Sequence, residues 1–308
     1  VKVETRSFYE LAVRRAVLHI AAHIDDALDL GALSRLAALS PFHFHRVFRG
    51  MCGETPLEMH RRLRMERAAH RLIVTGTGVT QIAFEAGYDT HEAFTRAFRA
   101  AYGEAPSAFR KASSPGGVER AMPLKITLAT RSGVHFTEQG LSEHWNALEN
   151  GGPPMKVDIE ELQAKRLATI RHVGPYPRIS EAFARLGAIA GPAGIIGKPG
   201  TQMIAVYHDD PESVAPEDLR SDAGLTIADG TTLPAGLTEL RLRAGSYACT
   251  THVGPYTTLG DTWARLMGEW LPRSGHRVGE GESFEIYENN PMNARPEELR
   301  TRLCVPLG

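Results

Sequence analysis

The sequence predicts two domains: an all-α unit holding two helix-turn-helix motifs, then an α+β domain duplicated about a pseudo-twofold axis. Three observations predict this. The chain has 308 residues, more than one ordinary core accommodates. From Phe8 to Arg110 apolar residues recur at helical spacing, and a frame of Phe, Arg, Gly and Pro occurs twice within that stretch. Further on, a different repeat runs in a single register of 80 residues.

The composition, 42% hydrophobic and 23% charged, describes a globular protein and argues against disorder. No run of about 18 apolar residues is present, so no membrane partner is expected. The opening residues VKVETRSFYELAVRRAV carry too many charges for a signal-peptide core. Cys52, Cys249 and Cys304 are far apart and form no CxxC, which fits a reducing, cytoplasmic location and excludes a cysteine zinc site. The net charge of -1 hides a division: residues 1–112 hold 16 Lys+Arg against 12 Asp+Glu, and the remainder holds 19 against 24. Arginine-rich helices suit a polyanion, and an acidic second half suits a cationic ligand or none at all.

In the first domain (1–112), Leu33–Arg64 matches Ile82–Lys111. The shared frame runs Phe44/Phe94, Arg46/Arg96, Phe48/Phe98, Arg49/Arg99, Gly53/Gly103, Glu54/Glu104 and Pro56/Pro106. Phenylalanines four apart share one helix face and pack inward. Ser40 and Thr90 stand where helix N-caps are needed, and Gly87-Tyr88 supplies the sharp turn of the second unit. A long helix, Leu57 to Val74, joins the units. A Ser/Pro/Gly stretch at 113–120 reads as a linker, within an unassigned segment 113–155 in which KITLAT (125–130) is a candidate strand.

The second domain spans 156–308. RHVGPYPRISEAFARL (171–186) matches THVGPYTTLGDTWARL (251–266), IAVYHDDP (204–211) matches FEIYENNP (284–291), and APEDLRSD (215–222) matches RPEELRTR (295–302). Each half reads strand, His-Val-Gly-Pro-Tyr turn, amphipathic helix, strand, charged loop, strand. Two such copies build antiparallel strands around a shared groove, a usual ligand location. His172 and His252 sit in equivalent Gly-Pro turns, and that context favours chain reversal over metal binding.

These residues carry resemblances. Leu33–Arg64 with Ile82–Arg110 resembles the DNA-binding domain of AraC/XylS-type regulators, IAFEAGYDTHEAFTRAFRAAYGEAPSAFR following the signature nearly throughout. Ala38 departs from it, standing where the first unit usually has glycine. Residues 156–308 resemble the gyrase-inhibitor-like ligand-binding domain through the paired HVGPY turns and FEIYENNP. Together they imply a sequence-specific, double-stranded-DNA-binding transcription regulator with a small-molecule effector, and RNA polymerase as a further candidate partner.

A recognition helix enters the major groove, so only its exposed face reaches base edges. On the first such helix (Ser40 to Arg49) the candidates are Phe42, His45 and Arg46. On the second (Thr90 to Ala101) they are His91, Glu92, Thr95 and Arg96. Arg61, Arg62, Arg64, Arg67 and Arg71 are candidate phosphate contacts, several of which must face their own domain. In the second domain the 80-residue register isolates Glu285, whose mate is Ala205. Strand alternation puts Glu285 beside Tyr287, opposite Phe284 and Ile286, which are expected beneath a helix. A carboxylate beside Tyr287 and Tyr207, with Trp270 and Phe183 as candidate lining, suits a lipophilic cation through ion pairing and cation–π attraction. No catalytic residue, metal or cofactor is expected. Two alternatives compete: a small-molecule hydrolase with Glu285 activating water, and a module that inhibits another protein.

Overall fold

The computed structural model describes residues 2–113, 126–137, 140–142, 154–209, 211 and 214–308. The linker expected at 113–120 lies, after Ser113, outside the described residues. The N-terminal part is helical: α1 (Lys2–Ala22), α2 (Leu30–Leu36), α3 (Pro41–Cys52), α4 (Pro56–Val74), α5 (Val79–Glu85), α6 (His91–Tyr102) and α7 (Pro106–Ser113). Capping explains where these helices begin. The side chains of Asp29, Ser40, Thr55 and Thr90 each accept a hydrogen bond from the backbone N–H three residues on, and Thr55 with Glu58 completes a capping box. The repeated Gly53 and Gly103 end α3 and α6 with left-handed φ of 74° and 79°.

The turn before each recognition helix requires the same left-handed backbone. The second unit supplies Gly87 at φ 82°, whereas the first forces it on Ala38 at φ 53°. A Cβ at Gly87 would meet the Arg64 guanidinium at 2.4 Å, so that turn also needs the space. Arg64 is held there by the carbonyls of Ile24 and Asp25.

The two phenylalanine frames serve different cores. Phe94 and Phe98 pack with Leu72, Ile82 and Phe109 in a core built from the second unit and α4, against which Ile126 and Leu128 also pack. Phe44 and Phe48 pack with Tyr9, Val13 and Ile20 of α1, in a core that continues into the C-terminal domain through Trp263, Met267, Leu271, Leu303 and Val305. The first helix-turn-helix unit thus shares its interior with the α+β domain. Two glycines permit this approach: a Cβ on Gly50 would lie 2.1 Å from the Ala264 carbonyl, and one on Gly268 would lie 2.3 Å from Gly50 Cα.

The stretch 126–136 runs along α4, and the strand expected at 125–130 does not form over its described residues. Glu66, fully buried, organises it. Its carboxylate accepts from Arg62, from the backbone N–H groups of Leu128 and Phe136, and lies 2.9 Å from His135 Nδ1. Arg62 also forks onto Glu54, and Thr130 and Ser132 donate to the same Glu54. A short hairpin follows, β1 (His135–Thr137) with β2 (Gly140–Ser142).

The C-terminal domain carries β3 (Asp158–Leu162), β4 (Lys165–Val173), α8 (Ile179–Ala190), β5 (Met203–Tyr207) and β6 (Arg220–Ile227). Its second half carries β7 (Thr238–Leu242), β8 (Gly245–Val253), α9 (Leu259–Arg265), a π-helical turn (Leu266–Trp270), α10 (Leu271–Ser274), β9 (Phe284–Tyr287) and β10 (Arg300–Pro306). These strands form one antiparallel sheet in the order β3-β8-β10-β9-β5-β6-β4-β7. The halves exchange their first strands, since β3 pairs with β8 and β7 with β4. The pseudo-twofold axis passes between β5 and β9. Phe284 and Ile286 do not lie under a helix as expected. They pack with Leu167, Ile204, Val206, Tyr247, Cys249 and Cys304 inside the curl of the sheet, so the helices cover the opposite face. In each His-Val-Gly-Pro-Tyr turn the glycine takes φ of 136° or 138°, and the His172 and His252 rings lie 3.2 and 3.3 Å from the carbonyls of Pro175 and Pro255.

Ala38→Gly is expected to stabilise the chain. Left-handed backbone costs a residue with a Cβ roughly 1–2 kcal/mol, and glycine's freer unfolded chain takes back about 0.5–1 kcal/mol. Thermal unfolding of the first unit should shift upward by about 2–4 °C; a lower midpoint would show that Ala38 carries no strain.

Candidate functional site

The centre of the C-terminal sheet places a single carboxylate in an apolar setting. β5 and β9 pair across the pseudo-twofold axis with Ala205 directly opposite Glu285, so the two mates of the 80-residue register meet there. One is a methyl and the other a carboxylate, and the site is accordingly asymmetric. Glu285 is 2% exposed on the helix-covered face. Its Oε1 accepts from the Trp263 indole Nε1 at 2.7 Å. Its Oε2 accepts from the hydroxyls of Tyr287 at 2.8 Å and Tyr207 at 3.2 Å, which lie 3.1 Å from each other. Burial raises the carboxyl's pKa, opposed by the indole bond and by the nearby positive charge of Arg46. Burial and the Glu285 charge push both tyrosines well above the usual phenol range.

More aromatic rings surround this group. Phe183 meets Tyr287 edge-on at 5.5 Å, Tyr256 meets Tyr287 at 5.6 Å, and Tyr176 meets Tyr207 at 4.7 Å. A cavity of about 390 Å³ opens beside Tyr207, the one member of this group that lines it, with Ser40, Phe42 and His43 from the first unit and His208 and Ser283 from the C-terminal domain. Across it His43 Nε2 lies 3.1 Å from Ser283 Oγ, and burial with the charge of Arg46 lowers the His43 pKa to about 4.

The first recognition helix closes this site. Phe42 and His45 are buried, and Phe42 joins the apolar cluster of Ala182, Ala205 and Tyr207. The Arg46 guanidinium lies over the Trp263 ring at 3.7 Å from its centroid and over the Phe42 ring at 4.0 Å. The face of α3 expected to meet DNA is therefore turned onto the C-terminal domain, because the phenylalanine stripe leaves that face as the one the domains bring together. The second helix is placed differently. On α6, Phe94 and Phe98 are buried, Glu92 and Arg96 are exposed, and His91 and Thr95 are half-buried at the rim. Thr95 Oγ1 lies 3.4 Å from His91 Nε2.

Four of the five arginines expected near phosphates are engaged within the protein: Arg62 by Glu54 and Glu66, Arg64 by backbone carbonyls, Arg67 by Asp25 and the Glu85 carbonyl, Arg71 by Glu85. Arg61 is exposed. Among the expected pocket residues, Glu285, Tyr287, Tyr207 and Phe183 come together. Trp270 does not. It ends the π-helical turn and packs against the core shared with α1 and α3, because that turn carries it away from the sheet centre. The ring in its place is Trp263, which sequence reasoning passed over although it is the mate of Phe183 in the 80-residue register. Arg46 faces the Trp263 ring instead of outward, and nothing in a one-dimensional pattern says that two domains meet there.

Two family models match the chain: a helix-turn-helix domain over residues 33–112 and a GyrI-like small molecule binding domain over residues 155–307. A DNA gyrase inhibitor of Yersinia enterocolitica is 34% identical over 146 residues, covering 44% of this chain and 88% of its own length. The chain belongs to the GyrI-like family. In it, the GyrI-like domain is preceded by an AraC-type helix-turn-helix domain, and the chain is a DNA-binding regulator with a small-molecule effector domain. The right origin-binding protein of Escherichia coli is 22% identical over 299 residues, 96% of this chain and 97% of that one, and so matches both domains in order. A solved structure of an uncharacterised conserved protein from Listeria innocua aligns with a TM-score of 0.42 and 17% identity, over 51% of this chain and 94% of that one. No described helix is long and apolar enough to cross a membrane.

Proposed function

We propose that this regulator reads double-stranded DNA through α6 and senses a lipophilic monocation at the aromatic-ringed carboxylate of Glu285. The observation that carries the sensing half is one buried carboxylate ringed by Trp263, Tyr207, Tyr287 and Phe183. A buried carboxylate is costly unless it is paired, and a cation with an apolar body supplies the charge while the rings supply cation–π attraction. An anion would be repelled, and a neutral ligand that took the place of Arg46 would leave the carboxylate without a counter-charge. The non-enzymatic reading rests on the same geometry. Both oxygens of Glu285 are occupied by indole and phenol donors, leaving them poorly placed to activate water.

For DNA, His91, Glu92, Thr95 and Arg96 form the reading face. Arg96 is suited to bidentate bonding with guanine, and Glu92 to accepting from a cytosine amino group. Thr90 begins the helix, so its unpaired N–H groups favour a phosphate close by. Contacts from the bound regulator to RNA polymerase would follow from its place beside a promoter.

Two outcomes are expected. Arg96→Ala should cost about 1–3 kcal/mol at one base position and relax selectivity there, measured by binding to single-base variants of a selected site; an equal loss on every sequence would make Arg96 a phosphate contact. Glu285→Gln should weaken tetraphenylphosphonium binding by at least about tenfold in calorimetry. Unchanged affinity would remove Glu285 from the site.

A further inference from the structure

Arg46 and Arg96 hold the same place in the duplicated frame, yet the structure gives them opposite surroundings. Arg96 is exposed on α6, whereas Arg46 lies in the corner formed by the Phe42 and Trp263 rings, whose planes cross at 75°, with its charge acting on Glu285. Trp263 links the two charges: its ring face meets the guanidinium and its N–H holds the carboxylate. A flat, delocalised cation stacked on an indole, with a buried carboxylate at the edge of the ring, is a filled cation site.

We propose that Arg46 is an internal ligand of the effector pocket, and that a planar aromatic cation of the guanidinium type displaces it and so frees the reading face of α3 for DNA. The proposal rests on the reading of Glu285 as the counter-charge for a cationic effector, and it adds both the shape of that effector and the consequence of its binding. Arg46 cannot stack on Trp263 and reach a base edge at once, because the face of α3 that bears it is covered by the C-terminal domain. Effector and docked α3 are therefore alternatives for one box. The effector shifts the balance only as far as its affinity for the open box exceeds that for the closed one.

Besides the Arg46 box, the dock rests on the shared apolar core and on the His43–Ser283 and Tyr9–Val278 hydrogen bonds, which an effector has to outweigh only in part, since α3 opens locally. The Arg49–Asp261 pair at 3.3 Å is largely exposed and contributes little. The crossing of α3 on the π-helical turn depends on the absence of two side chains, at Gly50 and Gly268. Gly268 touches none of the groups that hold Glu285, so Gly268→Ala wedges the dock while leaving Glu285, Trp263, Tyr207 and Tyr287 as they are.

The test uses the full chain, phenylguanidinium as the probe, and hydrogen exchange of the α3 amides as the readout. In the absence of probe, Glu285→Gln and Gly268→Ala are each expected to raise exchange in Pro41–Cys52 at least about tenfold while α6 stays unchanged. Saturating phenylguanidinium should raise α3 exchange in the unmodified protein. Arg46→Ala and Gly268→Ala should each bind the probe at least about tenfold more tightly than the unmodified protein. Unaltered α3 exchange in both probe-free variants overturns the internal-ligand proposal, whatever the probe does. A probe that binds in a Glu285-dependent way, with equal affinity in Arg46→Ala and no effect on α3, overturns it too while leaving the cation-sensing reading intact. Loosening of α3 by Glu285→Gln, with no cation bound even by Arg46→Ala, would keep the dock but overturn the competition, and with it the sensing reading.

Discussion

The arrangement depends on a three-member contact: the guanidinium of Arg46, the indole of Trp263 and the carboxylate of Glu285. Each member is explained by the other two. Glu285 is buried at the centre of a sheet, where a carboxylate is unfavourable unless donors and a positive charge surround it. Trp263 provides a donor through its edge and an electron-rich face for the cation. Arg46 arrives from another domain, carried by a helix whose phenylalanines have already joined the shared core. Removing any one leaves a buried group without its partner, so the joint between the domains and the chemistry of the pocket are one feature.

Duplication accounts for how such a site arises. The pseudo-twofold halves pair β5 with β9 so that equivalent positions meet on the axis, and symmetric residues there would create either two facing carboxylates or none. Ala205 opposite Glu285 is the broken symmetry that yields one charge. The break is repeated one layer up, where Phe183 on α8 and Trp263 on α9 occupy equivalent places and only the indole can donate. Tyr207 and Tyr287 stay matched, and both donate to the single carboxylate.

Much of this was legible in the sequence because repeats convert a one-dimensional string into internal comparison. The Phe44/Phe94 frame located two helix-turn-helix units, the caps at Ser40 and Thr90 formed, and the lone Glu285 stood out against Ala205. Trp263 was legible by the same register but was passed over in favour of Trp270, whose approach to the pocket is prevented by the π-helical turn at 266–270. Other features were not legible. Alternation along β9 assigned the correct side chains to each face but not which face the helices cover, since the sheet curls to make a second apolar interior. The segment 125–130 reads as a candidate strand, yet the Leu128 N–H is taken by the buried Glu66, as is that of Phe136 further on. The docking of α3 is a contact between domains, for which local periodicity carries no signal: Phe42, His45 and Arg46 look alike whether they face DNA or protein.

If the box holds either Arg46 or an effector, then cation binding and DNA binding by the first unit are thermodynamically linked, and the linkage must be reciprocal. The most direct measurement is the affinity of the full chain for a selected DNA site with and without saturating phenylguanidinium, paired with the affinity for phenylguanidinium with and without that DNA. The account predicts that each ligand strengthens the other by the same factor, and that Arg46→Ala abolishes the coupling. Two affinities that are independent of each other, in a protein that binds both ligands, would contradict it.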